Sequence, residues 1–174
     1  PNQLLTSVIT PVVQPILSEY EKQHKVIKQT YLSLTKILAF IGMPLTVFLF
    51  FTSKEIIYLL FGSQWTGSIP IFQILSLSIW IQMILSSTGS IFQSANRTDL
   101  LLLSGVLSAL LNVSSIIVGA WTGSIKYLAS ILVLSFLVNF IQTNYLLMIK
   151  IFQDKQREFY KNLVDPLKIS VLML

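Results

Sequence analysis

The sequence predicts an all-α fold: a polytopic transmembrane helix bundle with four full spans and partial spans at both ends. Three observations predict it. Ile69–Gln93 and Leu100–Ala120 contain no charged residue, and only the polar stretch Ser94–Asp99 separates them. At about 1.5 Å rise per helical residue, each run is roughly 30–36 Å long, enough to cross a hydrocarbon core of about 30 Å. The 174-residue chain is 53% hydrophobic and 11% charged, against about 25% charged in soluble domains. Its basic residues, taken up below, fall almost entirely on one side of such a bundle.

Taken in order, Asn2–Leu17 is uncharged and carries Pro11 and Pro15. It reads as the latter part of a span, about 2–17, kinked where the prolines free backbone groups. Glu19–Lys36 is a charged zone, and Ile37–Ser53 is again uncharged. With Leu34 and a snorkelling Lys36 this gives a span over about 34–53, with a kink expected at Pro44. Ser53–Gly62 reads as a short interfacial helix, with Ser53 as cap, Glu55 at its positive end and Gly62 as stop. Gln64–Ser68 forms a turn that places Trp65 at headgroup level. One helix is expected over 69–93, with Pro70 tolerated in its first turn, then spans over 100–120 and 125–149 joined by a turn at Trp121–Ser124. Lys150–Lys168 is a second charged zone. Phe152, Phe159 and Leu163 recur there at helical spacing, which predicts an amphipathic surface helix. Residues 166–174 begin a further span. The chain starts at Pro1, shows no signal peptide, and is expected to be a piece of a longer protein.

Four spans put the charged zone up to Lys36, which snorkels to that side, the 94–99 hairpin and the segment after 149 on one side. That side carries Lys22, Lys25, Lys28, Lys36, Arg97, Lys150, Lys155, Arg157, Lys161 and Lys168; the other has only Lys54 and Lys126. Basic loops stay in the cytoplasm, so the Trp65 and Trp121 turns are expected outside. The net charge of +5 then marks cytoplasmic loops rather than nucleic-acid binding.

The chain offers no catalytic set. It has no cysteine and one histidine, His24, which lies among lysines. No carboxylate falls within a span; Glu55 and Asp99 sit at span ends. No phosphate loop or metal-ligand spacing is present, and nothing in the sequence calls for a cofactor. The polar residues within the spans are more informative. Ser104, Ser108, Asn112, Ser115 and Gly119 fall within about 80° on one helical face. Ser78, Gln82, Ser86, Gly89 and Gln93 share a face, as do Ser135, Asn139 and Gln142. Ala39, Gly42, Thr46 and Ser53 form a weaker one. Small residues and hydroxyls suit close helix packing. The amides Gln82, Asn112, Asn139 and Gln142 suit a water-filled path as well, because an amide in hydrocarbon needs partners. Gln82, Ser86, Asn112, Asn139 and Gln142 are therefore the candidate substrate-path residues.

Several segments resemble one transporter family. Phe61-Gly62-Ser63-Gln64-Trp65, followed by Pro70 and Phe72-Gln73-Ile74-Leu75, is similar to the outward loop of polysaccharide and O-antigen exporters. Ser87-Thr88-Gly89-Ser90 followed by Ala95-Asn96-Arg97-Thr98, and Pro15-Ile16-Leu17-Ser18, match the same pattern. The family is that of the lipopolysaccharide and polysaccharide repeat-unit flippases of the multidrug/oligosaccharidyl-lipid/polysaccharide exporter superfamily. The resemblance implies a MATE-like transporter of two six-helix bundles, with residues 1–174 as a fragment of the C-terminal bundle. It further implies an N-terminal bundle of the same chain as partner, and a multi-pass protein of the bacterial cytoplasmic (inner) membrane. The implied substrate is an undecaprenyl-diphosphate-linked oligosaccharide, moved by alternating access rather than by catalysis. A membrane polymerase or glycosyltransferase would call for a large outward loop with acidic or arginine residues, and both outward loops here are short. A multidrug exporter of the same superfamily would call for a carboxylate within a span.

Overall fold

The computed structural model describes the backbone of residues 2–154 and 156–172, and the side chains of 23–154, 156–157 and 159–170. Among these residues the fold is helical throughout. Helix α1 is Asn2–Phe51 and α2 is Ser53–Phe61. A 3-10 turn, Ser63–Ser68, leads into α3, Ile69–Ser76, and α4, Ile79–Ser94. Then follow α5, Thr98–Trp121, and α6, Ile125–Tyr145, which continues as a π turn over Leu146–Ile151. Helix α7 is Gln156–Leu172. Three stretches, Gln23–Phe51, Thr98–Trp121 and Ile125–Ile151, are long and apolar enough to cross a membrane.

The helix expected over 69–93 is broken instead. Its two parts meet at an angle of 51°. The sequence between them has no proline or glycine; the break falls where side-chain oxygens enter the helical ladder. Ser76 Oγ donates to the Gln73 carbonyl and Ser78 Oγ to the Leu75 carbonyl, both at 2.7 Å. Here the backbone tightens to three-residue spacing, Leu77 N–H to Ile74 O and Ser78 N–H to Leu75 O. Side chains that bond nearby carbonyls compete with the helical ladder and bend it. The Trp80 N–H leaves the ladder for Thr46 Oγ1 of α1 at 3.3 Å.

Three other expectations change. Helix α1 joins the regions 2–17 and 34–53 without an intervening loop and passes through Pro44 unbroken; the kinks expected from Pro11 and Pro15 rest on side chains outside the described residues. Thr52, not Ser53, holds the cap position of α2, while Glu55 lies in its first turn as expected. Gly62 ends α2 at φ +86°, a conformation open to glycine and strained for other residues. Finally, α7 is amphipathic, but Phe159 and Leu163 are buried in the protein core rather than presented to a membrane surface.

The core forms where α1, α4, α6 and α7 meet. Phe159 is fully enclosed, stacked on Tyr31 at 5.7 Å and tilted against Phe140 at 5.8 Å. The Tyr31 hydroxyl donates to Asn144 Oδ1, and Asn144 Nδ2 donates to the Phe140 carbonyl at 2.7 Å. Gly42 lets α1 approach α4 so closely that an added Cβ would lie 2.9 Å from the Trp80 Cα. Leu102, Val106, Leu110 and Val113 of α5 remain exposed, the apolar surface expected against lipid. At one end of the bundle the basic segments converge. Lys28 of α1 pairs with Asp154, and both border a cavity with Arg97 of the α4–α5 hairpin.

Candidate functional site

Helices α5 and α6 are antiparallel and joined by a ladder of polar side chains. Ser104 Oγ and Thr143 Oγ1 lie 3.1 Å apart. One turn further along α5, Ser108 donates to Asn139 Oδ1. A turn beyond that, Ser135 Oγ donates to Asn112 Oδ1 at 2.8 Å. Each step of four up α5 meets a step of four down α6, so the rungs share one register. Past the last rung, Gly119 brings the backbones together: a Cβ there would lie 2.7 Å from the Leu128 Cα. The face expected on α5 therefore packs on α6. On α6 the third member is Thr143, one residue beyond the expected Gln142. Both positions fall near the same face, and only the packing separates them.

Beside the first two rungs lies a cavity of about 280 Å³, walled on its far side by α4, with room for several waters. Ser86, Gly89 and Thr88 border it from α4, and Ser104, Ser108 and Asn139 from the ladder. Of the five candidates, Ser86 and Asn139 meet at this cavity. Asn139 is 9% exposed, and it also accepts from Thr143 Oγ1 at 3.3 Å. Ser86 is exposed and donates to the Met83 carbonyl at 2.6 Å. The other three lie elsewhere. Asn112 is engaged in the last rung, away from the cavity lining. Gln82 is exposed on α4 and donates to Ser78 Oγ at 2.9 Å. The Gln142 Nε2 is enclosed without a hydrogen-bond partner.

The arrangement can present hydroxyl and amide groups to a neutral, hydroxyl-rich ligand. The face carrying Gln82, Ser86 and Gln93 is exposed, because α4 packs on the rest of the chain through Ile81, Ile84, Thr88 and Ile91. Residues that sequence reasoning passed over are Thr143, readable as the i+4 neighbour of Asn139, and the Tyr31–Asn144 pair, which no local pattern announces. Among the described residues no group of acidic, histidine or cysteine side chains could hold a metal ion.

Fold and site together define a multi-pass helical membrane protein with uncharged polar faces in its apolar helices. A family profile described as "Polysaccharide biosynthesis protein" matches residues 1–70. The chain is 28% identical over 171 residues to the teichuronic acid biosynthesis protein TuaB of Bacillus subtilis (strain 168), covering 97% of this chain and 35% of that protein. It is 21% identical over 172 residues to the lipopolysaccharide biosynthesis protein WzxC of Escherichia coli (strain K12), covering 98% and 35%. An uncharacterized membrane protein in the cps region of Klebsiella pneumoniae is 24% identical over 100 residues, 58% of this chain and 21% of that one. No solved structure matches the chain. The chain spans about a third of the length of TuaB and WzxC. The chain is thus similar to proteins of polysaccharide biosynthesis, in line with the family that its motifs resemble.

Proposed function

We propose that the chain is part of a flippase that moves lipid-linked oligosaccharide repeat units across the bacterial cytoplasmic membrane, with an undecaprenyl-diphosphate carrier as the lipid. In this reading α3 and α4 together form a fourth span, bent at Leu77 and Ser78. A second bundle of the same chain faces the exposed stripe of Gln82, Ser86 and Gln93. The observation that carries the reading is the cavity between α4 and the α5–α6 ladder. Its uncharged lining sets hydroxyls and one amide among Leu85, Phe92 and Leu101, a mixed surface that can exchange hydrogen bonds with sugar hydroxyls and pack against sugar faces while the rungs hold the helices together. The names of the relatives, which speak of teichuronic acid and lipopolysaccharide biosynthesis, support the substrate class.

The test is accumulation of lipid-linked repeat units in a strain lacking the full-length gene, complemented by the wild type or by variants that still insert. The deletion should trap the intermediate on the inner leaflet. Ser86→Leu and Asn139→Leu, which border the cavity, should complement poorly. Full surface polysaccharide in the deletion strain would refute the assignment, and normal transport by both variants would remove these faces from the path.

A further inference from the structure

A second cavity, of about 470 Å³, opens at the basic end of the bundle, within the roughly 300–1,000 Å³ of small-ligand sites. Three separate parts of the chain build it. Helix α1 supplies His24, Lys25 and Lys28, the α4–α5 hairpin supplies Arg97, and the segment after α6 supplies Lys150–Asp154. Among the described residues the lining carries four cationic side chains and one carboxylate, that of Asp154, which pairs with Lys28. Asp99 holds the Arg97 guanidinium through contacts of 2.9 and 3.0 Å. Helix α5 starts at Thr98, adding the positive end of its dipole. The inner wall includes Ile151 and Phe152.

With Lys28 paired to Asp154 and Arg97 to Asp99, the like charges of Lys25 and Lys150 still face one cavity from two segments, and a bound anion would offset their repulsion. The concavity, its net positive lining and its apolar wall fit a compact multivalent oxyanion next to a hydrocarbon surface. We propose that this cavity binds phosphate groups, from the headgroup of an anionic membrane phospholipid or from a free diphosphate. The site is separate from the cavity beside the ladder and does not depend on what that cavity transports.

The test uses the full-length protein in phosphatidylcholine nanodiscs. One arm titrates inorganic diphosphate by calorimetry, and the other exchanges part of the lipid for phosphatidylglycerol and counts bound lipid by native mass spectrometry. Binding in the first arm identifies the soluble anion, and binding in the second alone identifies the headgroup; either supports the site. Lys25→Gln with Lys150→Gln should weaken binding at least about ten-fold. Lys161→Gln with Lys168→Gln removes the same charge from positions outside the lining and should change it less than two-fold. In the unmutated protein, the bound probe should slow acetylation of Lys25 and Lys150 but not of Lys161. Absence of binding in both arms, equal loss in the two double variants, or unprotected Lys25 and Lys150 would overturn the proposal. Repeat-unit transport is not read in any arm, so failure here leaves the flippase test untouched.

Discussion

Replacing Gly119 by alanine should separate helices α5 and α6. The added Cβ would lie 2.7 Å from the Leu128 Cα and 3.0 Å from its Cβ, against about 3.5–4.0 Å for carbon atoms in comfortable contact. The nearest neighbour is backbone, so no side chain can swing aside and the helices must part by about an ångström. Overpacking of this kind costs about 1–3 kcal/mol. A glycine-to-alanine change in a helix also carries a propensity gain of roughly 1 kcal/mol, which would mask part of the loss. Gly105 supplies the control: it lies on the same helix, and its added Cβ meets nothing within 4 Å. Subtracting the effect of Gly105→Ala from that of Gly119→Ala cancels the propensity term and leaves the packing cost of about 1–3 kcal/mol. Thermal unfolding of the two full-length variants in one detergent, followed by tryptophan fluorescence, measures the difference. Equal stability would refute the close approach at Gly119 and with it the register of the ladder.

Other outcomes follow from the same geometry. Asn139→Leu removes an acceptor from both Ser108 and Thr143, yet Ser108 keeps the Ser104 carbonyl and Thr143 keeps Ser104 Oγ. Its cost should stay near 1 kcal/mol, as for other interhelical hydrogen bonds in membranes, read by the same unfolding assay. Phe159→Ala empties a fully enclosed site between Tyr31 and Phe140 and should cost about 3–5 kcal/mol, seen as faster proteolysis within α7. Tyr31→Phe leaves buried Asn144 Oδ1 without its donor and should cost about 1–3 kcal/mol. Lys28→Met breaks a pair whose carboxylate side chain is 40% exposed; solvent screening holds that loss to about 1 kcal/mol or less.

The long elements could be read from the sequence because charge-free runs of span length leave the backbone few choices in lipid. The α5 half of the ladder was legible for a related reason: Ser104, Ser108 and Asn112 repeat at a four-residue step on a helix whose other faces are leucine, isoleucine and valine. The α6 half was not fully legible. Gln142 and Thr143 are three and four residues from Asn139, and both spacings stay on one face, so only the partner helix decides between them. The bend at Leu77 and Ser78 left no mark of the usual kind. Serine hydroxyls bond nearby carbonyls there, as Ser86, Ser87 and Ser90 also do within unbroken α4, so what sets the break apart is the Trp80 N–H turning to Thr46 of a distant helix. The docking of α7 joins Tyr31 to Phe159 across most of the chain, where local periodicity carries no information. The positive segments before α1's apolar stretch and after α6 were assigned to one side by counting, and Lys25, Arg97 and Lys150 do border one cavity.

The common register of the ladder has a consequence for how the hairpin enters the bilayer. Sliding one helix by a single residue would break all three pairings at once and set leucines opposite serines. Intermediate alignments therefore have little to hold them. The two segments gain nothing from partial pairing and most from arriving together, so the Trp121–Ser124 corner should be delivered across the membrane in one step, with α5 and α6 already zipped.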